Sequence, residues 1–317
     1  MKAFAPDLLI YHPKSFGAPH LAAALGVPHM LASPLPGFTP TADFPSPLLP
    51  FTSLGPLNKI SHILATRSAE LLFRKELQEW KERTLGLARG GRPASPLGTL
   101  YAYSPKVVPK PADWGDDVVV AGYWFLDNPD WSPDPGLSAF LASGDQPIYV
   151  GFGSMPGIDP QELTAMVVEA LSRTGKRGLL ATGGGALVAD TMYSHAYMVS
   201  NVPHDRILPL VSAAIHHGGA GTTAASLRAG LPTTIMPFLG DQPFWGRRVE
   251  QLGVGPRALD RKTLSIESIA EAIFAMEAPV MRQSAEAVGI AIRAENGIRA
   301  AADFIERSFE RQPKQHP

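Results

Sequence analysis

The chain contains no cysteine, which removes disulfide scaffolds, Cys-ligated zinc, iron–sulfur clusters and thiol nucleophiles from consideration. An excess of either charge is also missing: 28 Lys and Arg stand against 29 Asp and Glu, a formal net charge of -1. Binding along a phosphate backbone normally leaves a basic surplus or stripe, so this balance argues against nucleic acid as the main partner. It leaves nucleotides open, since they need only a local site. Long apolar runs are absent as well. The opening MKAFAPDLLIYHPKSF has neither the apolar core nor the small-residue cleavage site of a signal peptide. The uncharged stretch from Ile207 to Leu227 is interrupted by Pro209, His216, His217 and glycines, which suits a buried strand, loop and helix rather than a bilayer span. The expectation is a cytoplasmic protein with at most peripheral membrane contact.

What remains is an ordinary globular composition, 45% hydrophobic over 317 residues, enough for about two domains of roughly 150 residues each. In the first half, apolar runs at Leu8 to Tyr11 and His29 to Ala32 flank a small-residue segment, a strand, helix, strand unit. Prolines at 34, 36, 40, 45, 47, 50 and 56 then forbid a long helix or central strand, leaving an ordered loop or a mobile lid. Leu57 to Leu87 has helical apolar spacing, Thr99 to Tyr103 and Val118 to Ala121 read as strands, and Asp127 to Gly136 reads as an interdomain linker. The second half alternates regularly: strands at Ile148, Arg177, Ala196, Ala213 and Thr233, and helices beginning at Gln161, Ala220 and Gln242. That alternation predicts a doubly wound parallel sheet. Helical patterns close the chain, with Ser265 as an N-cap and Asn296-Gly297 as a break.

The motif with the most chemistry is HHGGAGTT, His216 to Thr223, between an apolar strand and a small-residue helix. Such a turn points free backbone N–H groups and the positive helix end at an anion. Gly218, Gly219 and Gly221 allow close approach, and His217 and Thr222 can donate to the same phosphate group. No Gly-Lys-Ser/Thr follows, so it is not a Walker loop, and the spacing is not G-x-G-x-x-G. In GDQPFWGRRV, Gly240 to Val249, the adjacent Asp241 and Gln242 at a strand's carboxyl end can share the hydroxyls of a sugar. An Asp before a helical Pro is also an ordinary cap. Ser154, in YVGFGSM, falls on the same edge as a phosphate donor or a plain turn. The backbone at Val202, in NVPHDRIL, is placed to pair with a base edge.

Together these pieces resemble the nucleotide-sugar-binding half of GT-B glycosyltransferases, in the branch of the sterol 3-beta-glucosyltransferases and antibiotic glycosyltransferases. SAAIHHGGAGTTAASLRAGLPTTIMPFLGDQPFWGRRVEQLGVGP, Ser212 to Pro256, carries the resemblance most closely. Ile10 to Pro50 looks like the middle of the family's acceptor domain. The resemblance implies an α/β chain of the GT-B fold with two Rossmann-like, doubly wound domains: an acceptor domain over 1–130, and a donor domain with C-terminal helices over 131–317. It implies His217, Gly219, Ala220, Gly221 and Thr222 at the diphosphate, with Ser154 near it. It further implies Val202 at the base and Asp241 with Gln242 at the sugar. Ala225 stands where plant-type relatives place a ribose-binding glutamate, so the residue does not decide between UDP and dTDP. Met1 falls after the family's glycine-rich first loop, so the acceptor domain is expected to lack its opening.

The implied reaction moves a hexose, glucose by preference, from a UDP-sugar to the hydroxyl of a sterol-like or other lipophilic acceptor, with inversion. The nucleotide sugar is the donor substrate, and no cofactor or metal is expected. A nucleotide-sugar-binding protein without turnover is the alternative. No catalytic base is assigned: His12 and His20 lie in the first half at or after strand ends, where a hydrogen-bonded structural histidine is the ordinary reading.

Overall fold

The computed structural model describes residues 4–88, 90, 93–189 and 191–310. The chain folds as two compact units, one formed by residues up to Trp124 together with those from Glu295 onward, the other by Phe125–Ala294.

In the first unit, β1 (Leu9–Tyr11), α1 (Ala18–Leu25) and β2 (His29–Ser33) form the expected strand, helix, strand unit. Pro19 sits in the first turn of α1, and Gly26, at φ 69°, ends it in the left-handed conformation that glycine adopts without strain. After the proline-rich segment come α2 (Asn58–Leu72) and α3 (Arg74–Trp80), which runs into a π-turn at Lys81–Leu85. Then follow β3 (Thr99–Tyr101) and β4 (Val118–Val120). The four strands lie in the order β1-β2-β3-β4, all parallel.

The proline-rich segment is an ordered loop. Prolines supply no N–H for a ladder, so side chains from elsewhere take over the backbone's partners. Asp113 accepts from Thr41 Oγ1 at 2.8 Å and from the Ala42 N–H at 3.0 Å, and pairs with Lys59 Nζ at 2.9 Å. Burial pulls its carboxyl upward, but these hydrogen bonds win and hold it at about 2. Asn58 donates to the Ala42 carbonyl at 2.7 Å and accepts from the Leu54 N–H at 2.9 Å. The buried His62 ring sits between the Gly37 and Phe44 carbonyls at 3.3 and 3.0 Å. Tyr101 donates its hydroxyl to Thr39 at 2.8 Å.

The second unit opens with α4 (Pro135–Ala142), capped by Asp134, and continues through β5 (Ile148–Gly151), α5 (Pro160–Arg173), β6 (Gly178–Ala181) and β7 (Ala196–Val199). Next come α6 (His204–Ile207), β8 (Ala213–His216), α7 (Ala220–Arg228), β9 (Thr233–Ile235) and α8 (Gln242–Gln251). It ends with α9 (Ile266–Met276) and α10 (Pro279–Arg293). The five strands are parallel, in the order β7-β6-β5-β8-β9. Successive strand residues point to opposite faces. Val150, Leu180 and Ile215 therefore join one buried cluster with α5 and α9, and Tyr149, Leu179 and Ala214 join the other with Leu208 and Leu231. Coverage on both faces is why these strands are apolar throughout. Ser265 caps α9 in a reciprocal box with Ser268.

Two features differ from the sequence reading. Asp127 to Gly136 is not a free linker: Asp127 pairs with Arg228, the Asn128 N–H donates to Asp205 at 2.7 Å, and α4 begins at Pro135. The units accordingly divide at Trp124 and Phe125 rather than at 130. The last helix, α11 (Gly297–Glu310), belongs to the first unit, where Ala301 and Phe304 bury against Met30, Leu100 and Ala121. Gly98 makes room for it, since a Cβ there would lie 2.7 Å from the Phe304 ring. Packing, invisible to helical periodicity, decides which unit the helix joins.

Removing the shared anchor of the proline-rich segment should release it without unfolding the sheet. Asp113→Ala is expected to speed limited proteolysis within residues 34–56 several-fold while far-ultraviolet circular dichroism stays unchanged; an unaltered cleavage rate would show that Asp113 is not the anchor.

Candidate functional site

The register of the second sheet brings the ends of all five strands level. Gly151 is paired with Ala181 on one side and His216 on the other, Ala181 with Val199, and His216 with Ile235. The loops that follow therefore leave the sheet from one row. Strand order reverses between β5 and β8, the position at which open parallel sheets hold ligands outside their carboxyl ends.

At that position His216 and His217 end β8 and start the turn into α7. The His216 ring is fully buried, and its Nδ1 accepts the Gly218 N–H at 3.0 Å, which places the ring proton on Nε2. Gly218 is required twice over: its φ is 86°, and a Cβ would lie 2.6 Å from the Ile235 side chain. Gly219 is the N-cap of α7 without any capping side chain, so the amides of Ala220, Gly221 and Thr222 precede the first intrahelical bond. No acidic residue occupies the first turn of α7, and a Cβ on Gly221 would meet nothing within 4 Å. The helix end is positive and open. His217 lies across it: a Cβ on Gly219 would come 2.5 Å from its Nε2, and one on Gly153 would come 3.7 Å from its Cε1.

Burial lowers the pKa of His217, opposed by the Gly151 carbonyl and the Asp241 carboxylate. At neutral pH it is an uncharged imidazole that carries a single N–H. Burial, with His217 and His204 as neighbours, drives His216 well below 6.5. His204 is lowered by burial and by His217, and its Nε2 meets the Tyr149 hydroxyl at 3.1 Å.

Asp241 and Gln242 begin α8, after β9. Asp241 Oδ2 accepts the indole N–H of Trp245 at 2.7 Å. The Gln242 side-chain oxygen accepts the N–H groups of Phe238 at 2.6 Å and Leu239 at 3.0 Å, while its amide nitrogen donates to Met155 Sδ at 3.3 Å. That last bond joins the loop after β9 to the loop after β5, next to Ser154, which is exposed in a turn. Ser154, His217, Gly219, Asp241 and Gln242 thus converge on the loops of β5, β8 and β9. Val202 stands apart, half-buried on the Leu208 cluster after β7. β7 is three strand spacings from β8 in the sheet order, or roughly 14 Å. Of the two first-unit histidines, His12 accepts the Lys14 N–H at 3.2 Å and is lowered by burial and Lys14; His20 is lowered by burial and Lys81.

Residues 190–297 match the family described as erythromycin biosynthesis protein CIII-like, C-terminal domain. The chain is 38% identical over 309 residues to a sterol 3-beta-glucosyltransferase of Arabidopsis thaliana, across 94% of this chain and 48% of that protein. It is 35% identical to the sterol 3-beta-glucosyltransferase of Aspergillus fumigatus, across 96% of this chain and 23% of that protein. Among solved structures, a glycotransferase of kitacinnamycin superposes with a TM-score of 0.69 at 19% identity, covering 96% of this chain and 76% of that one. The calicheamicin glycosyltransferase superposes at 0.66 and 20% identity, covering 97% and 74%. The chain is a homologue of the sterol 3-beta-glucosyltransferases and has the GT-B fold. It spans about half the length of the plant glucosyltransferase it matches.

Three parts of this edge escaped the sequence reading. Gly183 and Gly184, after β6, allow backbone to pass backbone: a Cβ would lie 1.6 Å from the Ser200 carbonyl oxygen at the first and 2.0 Å from the Gly153 carbonyl carbon at the second. The GGG run after an apolar strand was a usable signal. Arg261 donates to the Pro237 and Phe238 carbonyls at 3.1 and 3.0 Å and braces the β9 loop over the Phe238 ring. No motif marks it. Trp245 is the third.

The three lowered histidines make a signed pH prediction. Each binds its proton more readily in the unfolded chain, so its neutral-state stability is present in full above pH 6.5 and is lost as pH falls below that value. Fully buried His216 contributes about 1.4 kcal/mol per pH unit across its window. The melting temperature is expected to be flat from pH 7 to 8 and to drop below 6.5, with a shallower drop in His216→Asn; a drop of equal slope in that variant would refute the assignment.

Proposed function

We propose that this chain holds the donor site of a glycosyltransferase that moves a hexose, glucose, from a UDP-sugar to the hydroxyl of a sterol-like lipophilic alcohol, with inversion. The observation that carries the reading is the convergence of an uncapped helix end, a neutral His217 and the Asp241 carboxylate at the switch point of the sheet. The amides of Ala220, Gly221 and Thr222 receive the diphosphate together with Ser154 and His217, and the base extends along the strand-end row to the backbone at Val202. Asp241 and Gln242 hold the sugar hydroxyls. In the reaction, the acceptor oxygen bonds to the anomeric carbon as that carbon's bond to the diphosphate breaks, and a base takes the acceptor proton. The negative charge then grows on the leaving diphosphate, where the helix end contributes up to about 2 kcal/mol.

The names of the relatives support sterol and glucose. In the first unit α2 exposes Ile60, Leu64, Leu71 and Leu72, apolar surface that suits a lipophilic acceptor. Among the described residues no helix is long and apolar enough to cross a membrane.

Titration calorimetry with UDP and with UDP-glucose tests the site, and UDP release with and without a sterol tests the transfer. His217→Ala should weaken both ligands about tenfold, and Asp241→Ala should weaken UDP-glucose about tenfold while leaving UDP unchanged. Sterol-dependent UDP release completes the reading; absence of UDP-glucose binding by the wild-type chain overturns it.

A further inference from the structure

Asp241 holds the N-cap position of α8, directly before Gln242, but its side chain does not cap the helix. Elsewhere in the unit, Asp134 and Asp159 cap α4 and α5 with extended backbones, ψ 166° and 126°, and their carboxylates accept helix N–H groups. Asp241 has a helical backbone, φ -82° and ψ -6°, and makes no capping bond. Its carboxylate turns instead to the indole of Trp245, one turn along the same helix, with Nε1 to Oδ2 at 2.7 Å. Trp245 is fully buried, packed edge-on to Phe244 at 5.1 Å. A rigid ring locked in the core therefore holds the carboxylate by one oxygen, away from the amides that would otherwise consume it.

Beside it, Gln242 spends its side-chain oxygen on the Phe238 and Leu239 N–H groups. Only its NH₂ remains to face a ligand, one hydrogen being directed at Met155 Sδ. The pair is thus divided in role: Asp241 accepts, Gln242 donates.

We propose that Trp245 is a positioning residue for sugar recognition: its N–H aims Asp241 so that Oδ1 accepts one hydroxyl of the sugar while Gln242 Nε2 donates to a neighbouring one. This rests on the reading of Asp241 as a sugar ligand. Trp245 is fully buried, so it acts on the sugar through the carboxylate it holds.

The test compares Kd for UDP-glucose and for UDP, by calorimetry on the full chain, in wild type, Trp245→Phe, Asp241→Ala, the double variant and Val249→Ala. Phenylalanine keeps most of the packing and removes the N–H. Trp245→Phe should weaken UDP-glucose about tenfold and leave UDP unchanged, and the double variant should bind UDP-glucose no more weakly than Asp241→Ala. Val249, buried on the same helix, controls for core damage: Val249→Ala should lower the melting temperature and leave the ratio of the two constants unchanged. A wild-type ratio in Trp245→Phe, or equal losses for both ligands, overturns the proposal while Asp241→Ala still raises the ratio of the UDP-glucose Kd to the UDP Kd. If Asp241→Ala leaves the ratio unchanged, the sugar reading itself fails and the proposal with it.

Discussion

The candidate site depends on backbone passing backbone at the carboxyl edge of one sheet. Five parallel strands end level, so the loops after β5, β6 and β7 must leave within a few ångströms of each other. Only residues without Cβ fit where Gly183 meets Ser200 and Gly184 meets Gly153. At Gly218 and Gly219 a Cβ would instead collide with side chains, those of Ile235 and His217. With side chains removed from these crossings, the amides at the start of α7 are left at the surface, where a ligand's charge can reach them.

Electrostatics follow from that crowding. Burial keeps His216, His217 and His204 neutral, so the site offers oriented N–H groups rather than fixed positive charge, apart from the helix end itself. Such groups can meet an anion without the desolvation cost of a buried cation. Asp241 supplies negative charge nearby, held off the helix amides by Trp245. The two ends of the site are therefore opposite in character, one suited to phosphate oxygens and the other to hydroxyls.

The first unit solves a different problem. Its proline-rich segment cannot enter a sheet, and it is held by Asp113, Asn58 and His62, side chains distant in sequence from most of what they bind. The segment is thereby a fixed wall beside α2 rather than a strap free to move. The return of α11 to this unit through Phe304 closes the core over β2 and β3.

Sequence alone determined the elements whose signals are local. The alternation of apolar strands and small-residue helices from Ile148 to Leu252 named the parallel sheet. Ser265 named a cap, and HHGGAGTT named the turn at the start of α7, because glycine spacing and helix ends are set by residues a few positions apart. What depended on distant partners was legible only in the tertiary structure. The Asp127 segment read as a linker because its partner, Arg228, lies 101 residues away. Asp241 by itself read first as a cap, since an Asp before a helical proline is usually one; only the folded chain shows that it makes no capping bond and gives its Oδ2 to Trp245. Gln242 read as a binder of sugar hydroxyls, and the backbone of Phe238 and Leu239 claims its side-chain oxygen. Periodicity reports which face of an element is buried; which partner covers it, and which polar atom is left for a ligand, is decided only when the chain has folded.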